Sequence, residues 1–216
     1  MTEAPAMNET RVREEICWFG KSLYDRGLTA GSSGNISVRV EGGWVMTPTN
    51  ACLGRLDPAR LSKVDDSGNP ISGDKPTKES FLHLGMYAQR PGARAVVHLH
   101  STHSVAVSVL ADVDASQPIP PITAYYVMKV GKLKLLPYYA PGDLALADAV
   151  REVAGRHHAV LLANHGPVVA GKDLETAVYA TEELEETAKL YLLLRGQKLS
   201  LLSSADVADL ERRFPT

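Results

Sequence analysis

The chain has 216 residues, 44% of them apolar and 22% charged, and a net charge of −2 with neutral histidines. That balance excludes bulk disorder, and the absence of a cationic excess argues against a nucleic-acid partner. Two distant cysteines, Cys17 and Cys52, exclude a disulfide framework and a cysteine-rich zinc site and suit a reducing cytoplasm.

Met1 to Thr10 is polar and acidic, lacks the apolar stretch of a secretory signal, and is expected to be a frayed start, residues 1–8 above all. A helix is predicted from Glu9 to Arg26, with Ile16, Phe19, Gly20 and Leu23 on one face and Gly27 as its stop. Thr29 to Asn35 is too rich in turn formers for regular structure. Ile36–Val40 and Trp44–Met46 read as paired strands around Glu41-Gly-Gly43, and Val64 and Ile71 bracket a second hairpin-like turn. A helix follows over Glu79–Gln89, a short strand over Arg94–His100, a helix over Ser104–Leu110 and a stiff loop over Gln117–Pro121. Strands near Lys134 and over Ala159–Leu162 flank a helix at Leu144–Ala154. The longest helix is predicted over Leu174–Arg195. Leu174, Ala177, Val178, Thr181, Leu184, Ala188 and Tyr191 trace its apolar face, while Glu182, Glu183, Glu185 and Glu186 lie largely opposite. Strands and helices mix without a linker, so residues 1–216 read as a single α/β domain with helices layered on a sheet. No segment reaches the roughly 18 apolar residues of a membrane span, and with no signal segment the expected location is cytoplasmic.

The candidate chemistry starts at Val96-Val-His98-Leu-His100. On a strand, positions i and i+2 share a face, so the two imidazoles would sit side by side with Leu99 turned inward. Such a pair reads either as two polar residues on a wet face or as two metal ligands. His165 ends the apolar run 159–163 in Asn164-His-Gly-Pro167; alone it is a turn histidine, but with His98 and His100 it could complete three nitrogen ligands with one position left for substrate. Glu79 opens a helix, where a carboxylate is favoured by the dipole anyway; its functional reading is a general acid/base beside the metal, and also a ligand. That role calls for a raised pKa through burial, which nearby metal charge would oppose. His83, one turn on, competes for a ligand role, whereas His103, His157 and His158 read as structural or solvated. Three loops have the composition of anion cradles: Gly31-Ser-Ser-Gly34-Asn35, Thr47-Pro-Thr49-Asn50 and Thr77-Lys78. They lack the spacing of a P-loop and, beside a metal, favour a small phosphorylated substrate.

Taken together, Gly31-Ser-Ser-Gly-Asn-Ile-Ser37, Thr47-Pro-Thr49, Pro76-Thr-Lys-Glu79, His98-Leu-His100 and Asn164-His-Gly166 resemble the class II aldolase/adducin family over about Arg13 to Arg195. The resemblance implies a three-layer α/β/α sandwich around a central mixed, mostly antiparallel sheet. It also implies a divalent metal (Zn2+, or Mn2+ or Co2+) and a homotetramer with active sites at subunit interfaces. Within the family the segments Gly27–Asn35, Thr47–Ala51, Val97–Ser104 and Ala180–Lys189 are most similar to the 3-oxo-tetronate 4-phosphate decarboxylase branch. By position the resemblance makes His98, His100 and His165 metal ligands and Glu79 the acid/base and a fourth ligand. It puts phosphate contacts on Gly34, Asn35, Thr49, Thr77 and Lys78, and a tyrosine from a neighbouring subunit at Tyr125 rather than Tyr126. The reaction implied is decarboxylation to dihydroxyacetone phosphate and CO2 through a metal-bound enediolate. The alternatives are sugar-phosphate aldol cleavage of the fuculose or rhamnulose type, ribulose-phosphate epimerisation, or an adducin-like binding module. Asn50 and Lys78 depart from the sugar-phosphate aldolase pattern, which often has Gly and Ser there, and Lys78 is suited to a substrate carboxylate.

Overall fold

A computed structural model describes residues 8–140 and 142–215; the start expected to fray falls outside these up to residue 7. Helix α1 (Glu9–Asp25) begins where its cap allows: the Asn8 side chain accepts from the Thr10 N–H at 2.9 Å, and Val12, Ile16, Phe19, Gly20 and Leu23 are buried. Gly27 (φ 75°) takes the chain out of the helix in a conformation other residues resist. Strands β1 (Asn35–Val40) and β2 (Gly43–Met46) pair around the expected turn, and β3 (Ser62–Val64) and β4 (Pro70–Ser72) extend the meander. Helix α2 (Ser80–Gln89) leads to β5 (Ala95–His98), then α3 (Thr102–Ser108), α4 (Ala124–Lys129) and β6 (Lys134–Leu136). Helix α5 (Ala145–Ala154), β7 (Ala159–Leu162), β8 (Gly166–Gly171), α6 (Leu174–Leu193) and α7 (Ser204–Arg213) complete the order.

The eight strands form one sheet in the order β4-β3-β2-β1-β5-β8-β7-β6. Every neighbouring pair is antiparallel except β6–β7, which α5 joins as a crossover. Strand alternation sends Ile36, Val38, Val97 and Val169 to one face, against α1, α3, α4 and α6. It sends Val96, Val160, Leu162 and Val168 to the other, against Leu82 and Met86 of α2 and Leu146 and Val150 of α5. This is the expected three-layer α/β/α arrangement with a mixed, mostly antiparallel sheet.

Several local expectations need correction. Strand β5 stops at His98, so His100 lies beyond it, in the turn into α3, which itself starts at Thr102 rather than Ser104. Gly166-Pro167 is not only a turn but the start of β8; only Pro167's carbonyl is needed there, and it accepts from the Leu99 N–H at 3.2 Å. Helices α4 and α7 were unforeseen, although Ser203 and Asp206 make a reciprocal capping box at the start of α7. On α6, a helix of about 30 Å, Glu185 is buried instead of solvated. Its carboxylate accepts from the backbone N–H of His103 and of Ser104, each at 2.8 Å, and from the Ser104 hydroxyl at 2.7 Å, so it serves as the cap of α3. Among the described residues no helix is long and apolar enough to cross a membrane.

Candidate metal centre and active site

The buried end of β5, the turn after it and the β7–β8 turn bring three imidazoles to one point. The Nε2 atom of His98 lies 3.1 Å from that of His100 and 3.3 Å from that of His165, and the last two are 3.1 Å apart. Glu79 closes the group, with Oε1 3.0 Å from His165 Nε2 and Oε2 3.5 Å from His98 Nε2. The ring of His98 donates Nδ1–H to the Pro167 carbonyl at 2.8 Å, which leaves its Nε2 lone pair aimed at the cluster. Three imidazole nitrogens this close cannot all be satisfied by each other's protons, and four donor atoms within 4.8 Å of one another suit one divalent cation. The donor chemistry therefore fits the metal that the sequence implied.

Burial pushes the Glu79 carboxyl upward, but the neighbouring His165 and His98 rings and the Asn35 amide outweigh it. The group is held well below the usual carboxylate range, opposite to the shift expected of a resting acid. Burial, then the neighbouring His98 and His165, push His100 down to about 4, so its ring is neutral and free to ligate at pH 7. Although Glu79 stands at the N-cap of α2, its side chain makes no capping bond; it turns to the histidines instead.

The three loops meet beside this cluster. The Thr47 side chain accepts from the Ile36 N–H at 3.2 Å, Thr77 N–H donates to the Thr47 carbonyl at 3.2 Å, and Thr49 N–H to the Lys75 carbonyl at 3.0 Å. A Cβ at Gly34 (φ 80°) would crowd Leu99 Cδ2 at 3.0 Å and the His98 carbonyl at 3.2 Å, in a backbone conformation that side chains resist. Thr77 is buried and its hydroxyl oxygen accepts from the Glu79 N–H at 3.2 Å, leaving the hydroxyl proton to donate; Lys78 is exposed. Asn35 is committed elsewhere, donating Nδ2–H to Glu79 Oε2 at 2.7 Å.

The remaining candidates separate. His83 is not a metal ligand here: it is fully buried, 2.5 Å from Asn35 Oδ1 through Nε2 and 2.7 Å from Ser37 Oγ through Nδ1. His103 binds Glu185, His157 the Lys132 carbonyl, and His158 sits buried between the Ala170 and Val130 carbonyls, as structural histidines do. Tyr126 is buried, whereas Tyr125 is 60% exposed on α4, with the Lys129 ammonium over its ring. Sequence reasoning missed Ser37, Tyr87 and Glu185. For Tyr87 a signal existed: Glu79, His83 and Tyr87 recur every fourth residue along an otherwise mostly apolar helix, one polar stripe on one face.

Three histidines and a carboxylate grouped as a divalent cation would need, set in a three-layer α/β/α fold, are the features the family comparison bears on. The profile described as class II aldolase and adducin N-terminal domain matches residues 14–192, and the chain belongs to that family. It is 49% identical to the 3-oxo-tetronate 4-phosphate decarboxylase of Pectobacterium atrosepticum, over 97% of this chain and 96% of that one. It is 48% identical to the enzyme of the same name from Haemophilus influenzae, over 96% and 99%. The crystal structure of YgbL from Klebsiella pneumoniae superposes with a TM-score of 0.92 at 46% identity, covering 94% of this chain and 99% of that one.

Proposed function

We propose that the chain, acting as one domain, is a metal-dependent carboxy-lyase that converts 3-oxo-tetronate 4-phosphate to dihydroxyacetone phosphate and CO2. The observation that carries the reading is the convergence of Glu79 on His98, His100 and His165, beside three hydroxyl- and glycine-rich loops. His98, His100 and His165 would hold the divalent metal, zinc in this reading, with Glu79 as a fourth donor. When bound, the metal supplies Lewis-acid polarisation of the substrate ketone.

The protein's own groups do the rest. Gly34, Asn35, Thr49, Thr77 and Lys78 bind the phosphate end, with Asn35 limited by its bond to Glu79; binding remote from the broken bond positions the reacting end. Lys78, exposed and adjacent in sequence to Glu79, also suits the substrate carboxylate. On loss of CO2 the electron pair of the broken bond stays on the adjacent carbon, and that carbon must gain one proton, drawn in net from water. Glu79 carries it. The carboxylate rests ionised, so it holds that proton only within the catalytic cycle. Tyr125 belongs, in this reading, to the site of a neighbouring subunit in a homotetramer.

Four-carbon keto acid phosphates are incubated with metal-reconstituted protein, with fuculose and ribulose phosphates in parallel. Release of CO2 and dihydroxyacetone phosphate is expected, and Glu79→Gln should lower kcat by about 100-fold or more. Retro-aldol cleavage without CO2 release would turn the assignment to the aldolase chemistry.

A further inference from the structure

Behind Glu79 runs a buried chain of polar side chains, of which the proposed chemistry uses only Asn35. Asn35 joins Glu79 Oε2 (2.7 Å) to His83 Nε2 (2.5 Å); His83 Nδ1 meets Ser37 Oγ (2.7 Å); and Tyr87 OH lies 2.9 Å from Ser37 Oγ and 3.1 Å from the Ser37 carbonyl. Ser37 and His83 have no exposed surface, and Tyr87 is 3% exposed. The connection crosses from β1 to α2 because Asn35 and Ser37 share one face of the strand, while Glu79, His83 and Tyr87 share one face of the helix.

The directions of these bonds follow from one end. Asn35 donates its NH2 to Glu79 Oε2, so its carbonyl oxygen faces His83. That oxygen only accepts, so His83 must carry its proton on Nε2. Burial pushes His83 down to about 3, so the ring is neutral and Nδ1 must accept, from the Ser37 hydroxyl. Tyr87, whose hydroxyl burial keeps protonated, then donates to Ser37. The hydrogen-bond network thus assigns one tautomer and one amide orientation. Without a donor at His83 Nε2 the Asn35 amide would be held from the Glu79 side alone, with its carbonyl oxygen left unpaired beside the His83 site and free to draw the side chain away from Glu79.

We infer that His83, backed by Ser37 and Tyr87, is a positioning residue that fixes the Glu79 carboxylate through Asn35. The inference rests on the proposed role of Glu79. It separates His83 from the metal-ligand role its spacing suggested and gives it a distinct one, that of an obligatory N–H donor.

The two side-chain amides separate the functions of the ring. In His83→Gln the amide nitrogen reaches the Nε2 position and can donate to Asn35; in His83→Asn it reaches only the Nδ1 position beside Ser37. For the asparagine variant, kcat for the keto acid phosphate should fall about 10- to 100-fold with KM within about twofold, while the glutamine variant recovers most of the loss. Crystal structures of both variants without substrate give a readout independent of turnover: the 2.7 Å Asn35–Glu79 bond is retained with glutamine and lost with asparagine. Equal losses in both variants, or a wild-type kcat with asparagine, overturn the inference, as does an unaltered Asn35–Glu79 bond in the asparagine variant. Assays are run below both melting midpoints. An inactive Glu79→Gln beside an unaffected His83→Asn sinks the relay alone, whereas a fully active Glu79→Gln sinks the proposed role of Glu79 itself.

Discussion

Glu185 illustrates how a single carboxylate acquires its worth from its partners. It is 7% exposed, and four donors from the start of α3, the His103 ring included, converge on its two oxygens. Burial raises its pKa, but these hydrogen bonds outweigh that and lower it. The unfolded chain, with a carboxyl near the ordinary value of about 4.3, takes up the proton first on acidification. The stabilisation is therefore complete above that value and is lost as pH falls through the depressed folded pKa. Glu185→Gln sets an NH2 against N–H donors and is expected to cost about 1–3 kcal/mol at pH 7. Urea denaturation from pH 7 to pH 3 checks this: the gap between wild type and variant should narrow below about pH 4, and a constant gap would contradict the assignment. Because α3 begins two residues after His100, this cap also secures one arm of the metal centre.

At the scale of elements, the β7–β8 turn decides whether a metal centre exists. Asn164 (φ 58°) and Gly166 (φ 148°) take backbone conformations that most residues resist, with His165 held between them. A Cβ at Gly166 would stand 2.1 Å from the Leu99 carbonyl oxygen, so the absent side chain is what lets β8 approach the turn after β5. Gly166→Ala is expected to destabilise by about 2–4 kcal/mol, from strain plus overpacking. It should also weaken divalent-metal affinity about tenfold or more, since His165 and His100 are held 3.1 Å apart by that approach. Denaturant titration and chelator competition test the two effects separately; an alanine variant with wild-type stability would show that the backbone gives way freely.

For the whole molecule, Tyr125 ties the proposed chemistry to assembly. A tyrosine that serves the proposed chemistry should be accessible. Tyr126 is buried with its hydroxyl 3.4 Å from the Ile119 carbonyl, whereas Tyr125 stands exposed on the same short helix. Sedimentation equilibrium is expected to give four times the 23.3 kDa chain mass. Tyr125→Phe should lower kcat by about 100-fold without altering that mass, and Tyr126→Phe should act on stability instead. A fully active monomer, or a Tyr125→Phe variant with wild-type kcat, would remove the shared-site arrangement.

Periodicity and turn chemistry alone made most of the elements legible: the α1 face and its Gly27 stop, the β1–β2 hairpin, the α5 helix and the long α6. The combination of Glu79, His98, His100 and His165 likewise pointed to a metal centre, although each alone also suits a structural role, as His83 does. Chain order could not decide what depends on contacts between distant segments. Ending β5 at His98 against Pro167, burying Glu185 under α3 and joining His83 to Asn35 are settled by partners 48 to 82 positions away. Starting β8 at Gly166 likewise depends on the approach of Leu99, from another element. A local pattern records what a residue can do; only packing supplies the donor, acceptor or empty space that selects among those possibilities.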